Sequence, residues 1–198
     1  MIQAILAVLS AYLIAALPTA YILAKLQGKN IFELGSGNMG AMNTFRNLGI
    51  AAGIAVLIID IAKGYLAVKL AQIIATNNIN IGYFAAIAVV LGHAWSIYVG
   101  FRGGKALSSS FGTLLALDPK GALVVLFAII IFSLAIKKKP NFAAVIAMLS
   151  YPILVISLYF IKQESSHLKL FIATTIMFAI ILYKHLPGLK REFGKTQN

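Results

Sequence analysis

Cysteine is absent from this 198-residue chain, and acidic side chains number only five. Without cysteine the chain has no disulfide, no thiolate nucleophile and no cysteine-based metal site. Charged residues make up 11% of the chain, whereas a soluble domain carries roughly 25%, and 61% of the residues are hydrophobic. No linker-like segment interrupts the chain. The composition therefore predicts a single all-α integral membrane domain over residues 1–198.

Long apolar runs predict a polytopic protein with seven transmembrane helices, because a spanning helix needs about 20 apolar residues. The first run has no basic residue before it and no clean cleavage site, so we interpret it as a retained span and not as a signal peptide. The predicted spans are Ile2–Leu26, Gly49–Ile74, Ile81–Phe101, Ala106–Leu117, Gly121–Ile136, Phe142–Ile161 and Leu168–Tyr183.

The net charge of +12 comes from 17 Lys and Arg residues against five acidic ones. Two explanations are compatible: cytoplasmic loops collect Lys and Arg, and anionic substrates or acidic headgroups attract them. Because the basic residues are divided among short loops, a nucleic-acid partner is not expected. Basic residues concentrate on one side if the N-terminus lies outside and the C-terminus in the cytoplasm, as expected for the inner membrane of a bacterium. That side would hold Lys25, Lys29, Arg46, Arg102, Lys105, Lys137, Lys138, Lys139, Lys184, Lys190, Arg191 and Lys195.

The fourth predicted span is too short to cross a membrane alone. Its 12 or so residues cover ~18 Å, against a hydrocarbon core of ~30 Å. Gly103-Gly104 precedes it and Asp118-Pro119 ends it. A half-helix that begins at a glycine pair directs free N–H groups and the positive end of its dipole at an anion. The alternative is a tightly packed helical hairpin without a ligand.

The first predicted cytoplasmic loop contains a glycine-rich polar segment, Gly35–Arg46. Glycines allow the backbone to approach a ligand closely, and an Arg guanidinium matches phosphate geometry. A solvated connector remains the alternative. No Gly-Lys-Ser/Thr closes the segment, so it is not a Walker loop. The candidate phosphate-binding residues are Ser36, Gly37, Asn38, Gly40, Asn43 and Arg46.

Two further polar segments follow later in the chain. The first combines His93 with a glycine pair and a lysine, which is phosphate chemistry from backbone dipoles and one ammonium group; a histidine by itself is more often a packed residue. The second, Lys184–Glu192, is explained equally well as a basic anchor with a helix stop at Pro187. The candidate residues of the first segment are His93, Gly103, Gly104, Lys105 and Ser109, and that of the second is His185.

Asp60 and Lys63 lie in the middle of the second predicted span, three residues apart and therefore on one helix face. Ionisable residues inside a membrane are functional candidates by default. An ion pair that only packs two helices is the alternative. No cluster of residues has metal-ligand spacing, so we expect neither a metal nor a cofactor.

At these residues the chain resembles the bacterial membrane glycerol-3-phosphate acyltransferases that use acyl phosphate as donor. The first family motif is matched by Gly35-Ser36-Gly37-Asn38-x-Gly40-Ala41-x-Asn43-x-x-Arg46, followed by Asp60-x-x-Lys63-Gly64. The second is matched by Gly92-His93 and Gly100-Phe101-Arg102-Gly103-Gly104-Lys105, and the third is similar to His185 with Arg191.

The resemblance implies transfer of an acyl group from acyl phosphate to the 1-hydroxyl of sn-glycerol 3-phosphate, giving lysophosphatidate and phosphate at the cytoplasmic face. It implies that Ser36, Arg46 and Lys105 bind substrate phosphate and that His185 orients or deprotonates the acceptor hydroxyl. The acyl chain would enter from membrane lipid, and we expect a monomer. A transporter for a phosphorylated solute and an inactive paralogue are the rival interpretations.

The chain departs from the family pattern at several places. The family usually has Thr, Pro and Gly at Met42, Ser96 and Ala106, and its closing Glu falls at Gln197. Its Asn three residues after the third-motif histidine is here Gly188. We expect a Pro-Gly turn at this place that tolerates Asn, so that Gly188→Asn would add a hydrogen bond to substrate and raise the rate. The departures leave open a divergent enzyme, an altered acceptor or a lost activity.

Overall fold

The structure is a computed structural model that describes residues 1–194; Lys195 and Gln197 lie outside the described residues. Its regular structure is helical, which confirms the predicted class. The chain divides into two compact units, the first Met1–Leu117 and the second beginning at Asp118. Helices of the first unit are α1 (Ile2–Ala16), α2 (Thr19–Leu26), α3 (Ala41–Leu48), α4 (Ile50–Ile74), α5 (Ile81–Ala94) and α6 (Leu107–Leu117). Those of the second are α7 (Pro119–Ala135), α8 (Pro140–Lys162) and α9 (Ser165–Gly194).

Four segments in residues 1–194 are long and apolar enough to cross a membrane, namely Ile2–Leu26, Ile50–Ile74, Pro140–Lys162 and Ser165–Gly194. Three further apolar helices, α5, α6 and α7, are shorter, with 10–17 residues each. The chain is therefore a membrane protein by length and composition of its helices. The count of seven spans and the orientation of the termini stay predictions.

The first predicted span is interrupted near its C-terminal end. Leu17 and Pro18 separate α1 from α2, because a proline has no N–H to continue the helical ladder and its ring clashes with the preceding turn. The break leaves the Leu17 carbonyl available inside the bundle, where it accepts a hydrogen bond from Lys63 Nζ at 2.8 Å. One predicted element is thus two helices with a polar contact between them.

The third predicted span is wrong at its C-terminal end. Helix α5 stops at Ala94 and not at Phe101. The chain then turns back through an isolated antiparallel bridge between Ser96 and Arg102, with Gly100 and Phe101 in the left-handed region at φ 65° and 57°. Apolar side chains at residues 97–101 extend the hydrophobic run, so hydropathy alone does not mark this end of the helix.

Helices α4 and α6 pack at very close range. Gly64 of α4 faces the backbone carbonyl of Ser109 in α6, and a Cβ atom at residue 64 would overlap that carbonyl. Small residues of this kind let membrane helices approach backbone to backbone, since lipid offers no hydrophobic force between helices. This contact fixes where α6 begins, and therefore where the preceding glycine pair lies.

In the second unit, the side chain of Asp118 caps the N-terminus of α7. Asp118 Oδ1 accepts from Gly121 N at 3.0 Å, which satisfies one of the free N–H groups of the first turn. Its other oxygen, Oδ2, accepts from the Tyr151 hydroxyl of α8 at 2.7 Å. The predicted helix stop at Pro187 is wrong, because α9 continues through that proline to Gly194. Proline is tolerated inside membrane helices where neighbours satisfy the freed backbone groups.

Candidate active site

The glycine-rich loop before α3 is organised by one buried amide. The Asn43 side chain is 5% exposed, and its Nδ2 donates to the carbonyls of Asn38 at 2.9 Å and Leu34 at 3.1 Å. Its Oδ1 accepts from Ser36 N at 2.9 Å. A single side chain therefore closes the loop on itself. We predicted Asn43 as a substrate ligand, but its contacts give it the role of holding the loop.

Ser36, Asn38 and Gly40 form the rim of this loop. Asn38 Nδ2 donates to Ser36 Oγ at 2.6 Å, and Asn38 Oδ1 accepts from Gly40 N at 2.9 Å. Gly37 has φ 67°, a backbone conformation that glycine adopts without strain. The loop thus holds short hydroxyl, amide and backbone groups in a fixed arrangement next to solvent, as anion binding requires.

Arg46 lies in the last turn of α3, one turn beyond Asn43. Its side chain is exposed, so the guanidinium stays hydrated and available to an anion. Met42, where the resembling family usually has Thr, is 61% exposed. Since Met42 points away from the buried network, its lack of a hydroxyl removes nothing that holds the loop.

The second polar segment is built on His93. Gly104 N donates to the His93 carbonyl at 3.1 Å, and the imidazole ring lies so close to Gly104 that a Cβ atom there would overlap Nε2. Lys105 follows at intermediate exposure, and Ala106 takes the left-handed conformation at φ 61°. Helix α6 then starts at Leu107, so the predicted half-helix after a glycine pair is confirmed.

Arg102 brings the two segments together. Its guanidinium carbon lies 3.8 Å from the centre of the Phe32 ring, and Phe32 belongs to the loop that Asn43 closes. Phe32 in turn packs on Tyr21 of α2, with ring centres 5.7 Å apart. A cation over an aromatic face is an attractive contact. No local pattern predicts this pairing, because residues 32 and 102 are far apart in the chain.

Ser109 is placed differently from our prediction. The residue is fully buried, its Oγ donates to the Ala106 carbonyl at 3.2 Å, and its own carbonyl faces Gly64. These contacts make it a packing residue between α4 and α6. Gly103 is also buried, and a Cβ there would overlap the carbonyls of His93 and Ala94, so it serves the turn that presents Lys105.

The intramembrane pair predicted from sequence is present. Lys63 Nζ lies 2.8 Å from Asp60 Oδ1, and both side chains are buried. Thr19 of α2 donates to the same oxygen at 3.3 Å. The second carboxylate oxygen, Oδ2, faces His93 Nδ1 at 4.0 Å. The pair therefore connects the break between α1 and α2 to the histidine beneath the glycine turn, a connection that spacing alone did not indicate.

The third polar segment lies on α9, in the second unit. His185 is 1% exposed, and its Nδ1 lies 2.8 Å from the Ile181 carbonyl one turn earlier. Because a carbonyl oxygen only accepts, Nδ1 is the donor in that contact. Gly188, one turn further on, is helical and buried. The Pro-Gly turn that we expected is therefore absent.

Asn141 of α8 occupies the space beside Gly188. A Cβ atom at residue 188 would come within 2.6 Å of Asn141 Cγ and Oδ1. Glu192 fixes this amide, since its Oε1 accepts from Asn141 Nδ2 at 2.6 Å and from Asn141 N at 2.8 Å. Its Oε2 accepts from Phe142 N at 3.1 Å, so Glu192 caps α8. Sequence reasoning missed both residues, because the partners are 51 positions apart.

These features define a helical membrane protein that presents two glycine-rich, cationic loops in one unit and a buried histidine in the other. The family model described as glycerol-3-phosphate acyltransferase matches residues 5–195. The chain belongs to this family of membrane acyltransferases.

Individual relatives agree with the family match. The chain is similar to glycerol-3-phosphate acyltransferase 1 of Dehalococcoides mccartyi, with 39% identity covering 76% of this chain and 74% of the relative. The glycerol-3-phosphate acyltransferase of Streptococcus equi subsp. equi is 37% identical and covers 98% of this chain and 91% of its own length. The Clostridioides difficile glycerol-3-phosphate acyltransferase is 34% identical over 94% of this chain and 90% of its own.

Solved structures agree as well. The crystal structure of PlsY (YgiH), an integral membrane glycerol 3-phosphate acyltransferase, in its glycerol 3-phosphate form, superposes with a TM-score of 0.86. The sequences are 27% identical over 98% of this chain and 94% of that one. The lysophosphatidic acid form of the same enzyme gives a TM-score of 0.82 at 26% identity. The recognition made from motifs is thereby confirmed.

Proposed function

We propose that this protein transfers a fatty acyl group from an acyl phosphate to the 1-hydroxyl of sn-glycerol 3-phosphate, forming lysophosphatidate and inorganic phosphate. The observation that carries the proposal is the loop closed by Asn43, held against the Lys105 segment by the contact of Arg102 with Phe32. Relatives named for glycerol 3-phosphate, and a related structure in its glycerol 3-phosphate form, support the acceptor. The donor rests on the motif resemblance.

The chemistry needs no protein nucleophile, because the acyl carbon of an acyl phosphate is already activated. The acceptor oxygen attacks this carbon, the new ester C–O bond forms, and the bond to the phosphate oxygen breaks. By the family resemblance, the hydroxyl proton goes to His185 or to a phosphate oxygen. The protein's main work is then to hold two anions with their reacting atoms close and to stabilise the charge that develops.

We assign the candidate residues to two groups, one for each substrate phosphate. Arg46, with Ser36, Gly37, Asn38 and Gly40, binds one substrate phosphate through its planar fork and short loop groups. Lys105, presented by the turn at Gly103 and Gly104, neutralises the other phosphate as a point charge.

In the membrane we propose seven spans with the N-terminus outside and the loops of the site in the cytoplasm. Basic residues support this orientation, with twelve on the inner side against Lys120, Lys162 and Lys169 outside. A phosphatase reporter fused to the C-terminus should be inactive, because it stays in the cytoplasm. An active C-terminal reporter in the periplasm would reverse the orientation.

The function is tested with purified protein, palmitoyl phosphate and glycerol 3-phosphate. We expect phosphate release that depends on glycerol 3-phosphate, and lysophosphatidate in equal amount. Omitting the acceptor measures the background hydrolysis, and Arg46→Ala is the matched variant. Release that ignores the acceptor would contradict the proposal, and no release at all would favour an inactive paralogue.

A further inference from the structure

The buried ion pair in α4 is contacted by further residues from neighbouring segments. The proposed function assigns this group no role. Asp60 is 2% exposed and Lys63 is 6% exposed. Each is engaged from more than one helix: Lys63 Nζ donates to the Leu17 carbonyl at 2.8 Å, and Thr19 Oγ1 donates to Asp60 Oδ1 at 3.3 Å. Lys63 and Thr19 both use the same carboxylate oxygen, Oδ1, which leaves Oδ2 directed elsewhere.

Oδ2 is directed at His93, whose Nδ1 lies 4.0 Å away. This separation exceeds a hydrogen bond, so the carboxylate acts on the ring through its charge, which favours a proton on the nearer nitrogen. The other ring nitrogen, Nε2, lies against Gly104, and the His93 carbonyl accepts from Gly104 N. The histidine therefore contacts the glycine turn from two sides and the carboxylate from a third.

We propose that Asp60 is a positioning residue that acts through His93 to hold the Gly103–Gly104 turn, and with it Lys105, in the conformation that binds the phosphate of glycerol 3-phosphate. Lys63 neutralises the carboxylate and attaches it to the break between α1 and α2. The inference rests on the proposed function for the identity of the ligand. It assigns a binding role to an ion pair that would otherwise only pack helices.

The alternative of simple packing predicts a different result when the pair is removed. A buried ion pair replaced as a whole by apolar residues of similar volume is often neutral or stabilising, whereas removal of one partner leaves a buried charge. We therefore expect the double variant Asp60→Leu/Lys63→Met to fold under either view. Under ours it also releases His93, so affinity for phosphate falls although the melting temperature is retained.

Lys69 offers a matched control on the same helix. Its Nζ donates to the Ala116 carbonyl of α6 at 3.0 Å, so it too is a lysine that ties α4 to a neighbouring helix. Lys69 has no contact with Asp60 or His93 among the contacts found within residues 1–194. Lys69→Met removes a lysine anchor of the same kind and should leave phosphate affinity unchanged.

The experiment measures the Kd for glycerol 3-phosphate by calorimetry in detergent, with KM and kcat from phosphate release. In Asp60→Leu/Lys63→Met we expect Kd and KM to rise about tenfold, as for a lost charge-assisted contact, with kcat changed far less. A double variant with wild-type Kd and an intact melting transition would overturn the inference.

A second pair of variants keeps the test decisive if the double variant does not fold. Asp60→Asn is isosteric and keeps a side-chain oxygen for Thr19, and His93→Gln keeps a polar side chain beneath the turn. If Asp60 acts through His93, each single change raises Kd about tenfold and their combination does so no further, since coupled residues are not additive. Multiplying effects would mean that the two residues act separately, and would overturn the inference.

Binding and turnover separate this inference from the proposed function. Wild-type protein that binds glycerol 3-phosphate in an Asp60-dependent way, yet transfers no acyl group, would support the inference and contradict the function. Turnover that stays unchanged when Asp60 is replaced would support the function and contradict the inference. Wild-type protein that binds neither glycerol 3-phosphate nor inorganic phosphate would contradict both.

Discussion

The two units carry their polar groups on different kinds of backbone. In the first unit, the candidate phosphate ligands other than Arg46 lie mostly on irregular segments that Asn43 and His93 hold through backbone contacts. In the second, His185 and its neighbours lie on one uninterrupted helix, and Glu192 aligns α8 with it. A loop can bring several N–H groups to one anion, whereas a helix holds a single side chain at a fixed height and angle. The backbone of the first unit thus suits the phosphate contacts that we propose, and that of the second suits the role that we propose for His185.

The largest effect should come from the cations of the first unit. Arg46→Ala and Lys105→Ala should each lower kcat/KM by one to two decades, because a charged hydrogen bond contributes about 1.5–3 kcal/mol and ~1.4 kcal/mol is tenfold. Lys105→Arg should not restore the rate fully, since a planar fork does not replace a compact charge. Lys25→Ala, an exposed lysine of α2, is the control in the phosphate-release assay. Wild-type rates in either alanine variant would show that the phosphates bind elsewhere.

The next largest effect is expected from a variant that tests whether the glycine-rich loop before α3 depends on the Asn43 side chain. Asn43→Ala leaves the buried carbonyls of Leu34 and Asn38 without this donor, and we expect a loss of about 1–3 kcal/mol in the free energy of unfolding together with a rise in KM. Asn77→Ala is the control, since Asn77 is an exposed asparagine that lies beside Met1 and Gln3 and outside this loop. Thermal unfolding and KM are measured for both variants. Equal, small changes in the two would mean that Asn43 does not organise the loop.

Gly188→Asn tests the packing of α9 against α8. The sequence predicted that this change raises the rate, whereas the structure predicts that it lowers the rate. Because Asn141 fills the space at residue 188, the added side chain should cost about 1–3 kcal/mol as overpacking and lower the rate. Asn141→Gly/Gly188→Asn moves the amide from α8 to α9 and should recover much of both losses. Stability and phosphate release are compared among wild type, single and double variants.

A Gly188→Asn single variant that is faster than wild type and equally stable would instead support the expectation from the sequence.

His185→Ala tests the buried histidine of α9. It removes the proposed proton acceptor, while the Ile181 carbonyl keeps its hydrogen bond within the helix. It should lower kcat, and because the side chain is buried, the cavity left behind should also lower the melting temperature; kcat is therefore compared at a temperature where the variant is folded. Full activity in His185→Ala would end its assigned role and leave proton transfer to a substrate phosphate.

The smallest effect on stability is expected at Ala106, where the family usually has glycine. Its left-handed backbone costs an alanine about 1–2 kcal/mol, while loss of a buried methyl group costs about 0.8 kcal/mol. Ala106→Gly should therefore be neutral or slightly stabilising. Ala67→Gly in the interior of α4 should destabilise by about 0.5–1 kcal/mol. If the two changes cost the same in thermal unfolding, Ala106 is not strained.

Composition and motif spacing by themselves determined the membrane class, the helical fold, the half-helix at α6 and the family. These are local properties: apolar run length, a glycine pair before a short helix, and Asp60 and Lys63 three residues apart all follow from covalent geometry and helix period. The same local signals placed Ser36, Arg46 and Lys105 on exposed or partly exposed segments beside glycines.

Tertiary structure alone decided which polar groups hold the backbone and which stay available to a ligand. Asn43 and Ser109, both expected to bind substrate, are engaged within the protein, and the end of α5 at Ala94 follows from a bridge that hydropathy does not register. Helix α9 continues through Pro187 because neighbouring helices in a membrane can accommodate a missing N–H. The contacts of Asp60 with His93, of Arg102 with Phe32 and of Asn141 with Glu192 join residues distant in the chain. Such pairs arise only when helices pack, so no local pattern predicts them.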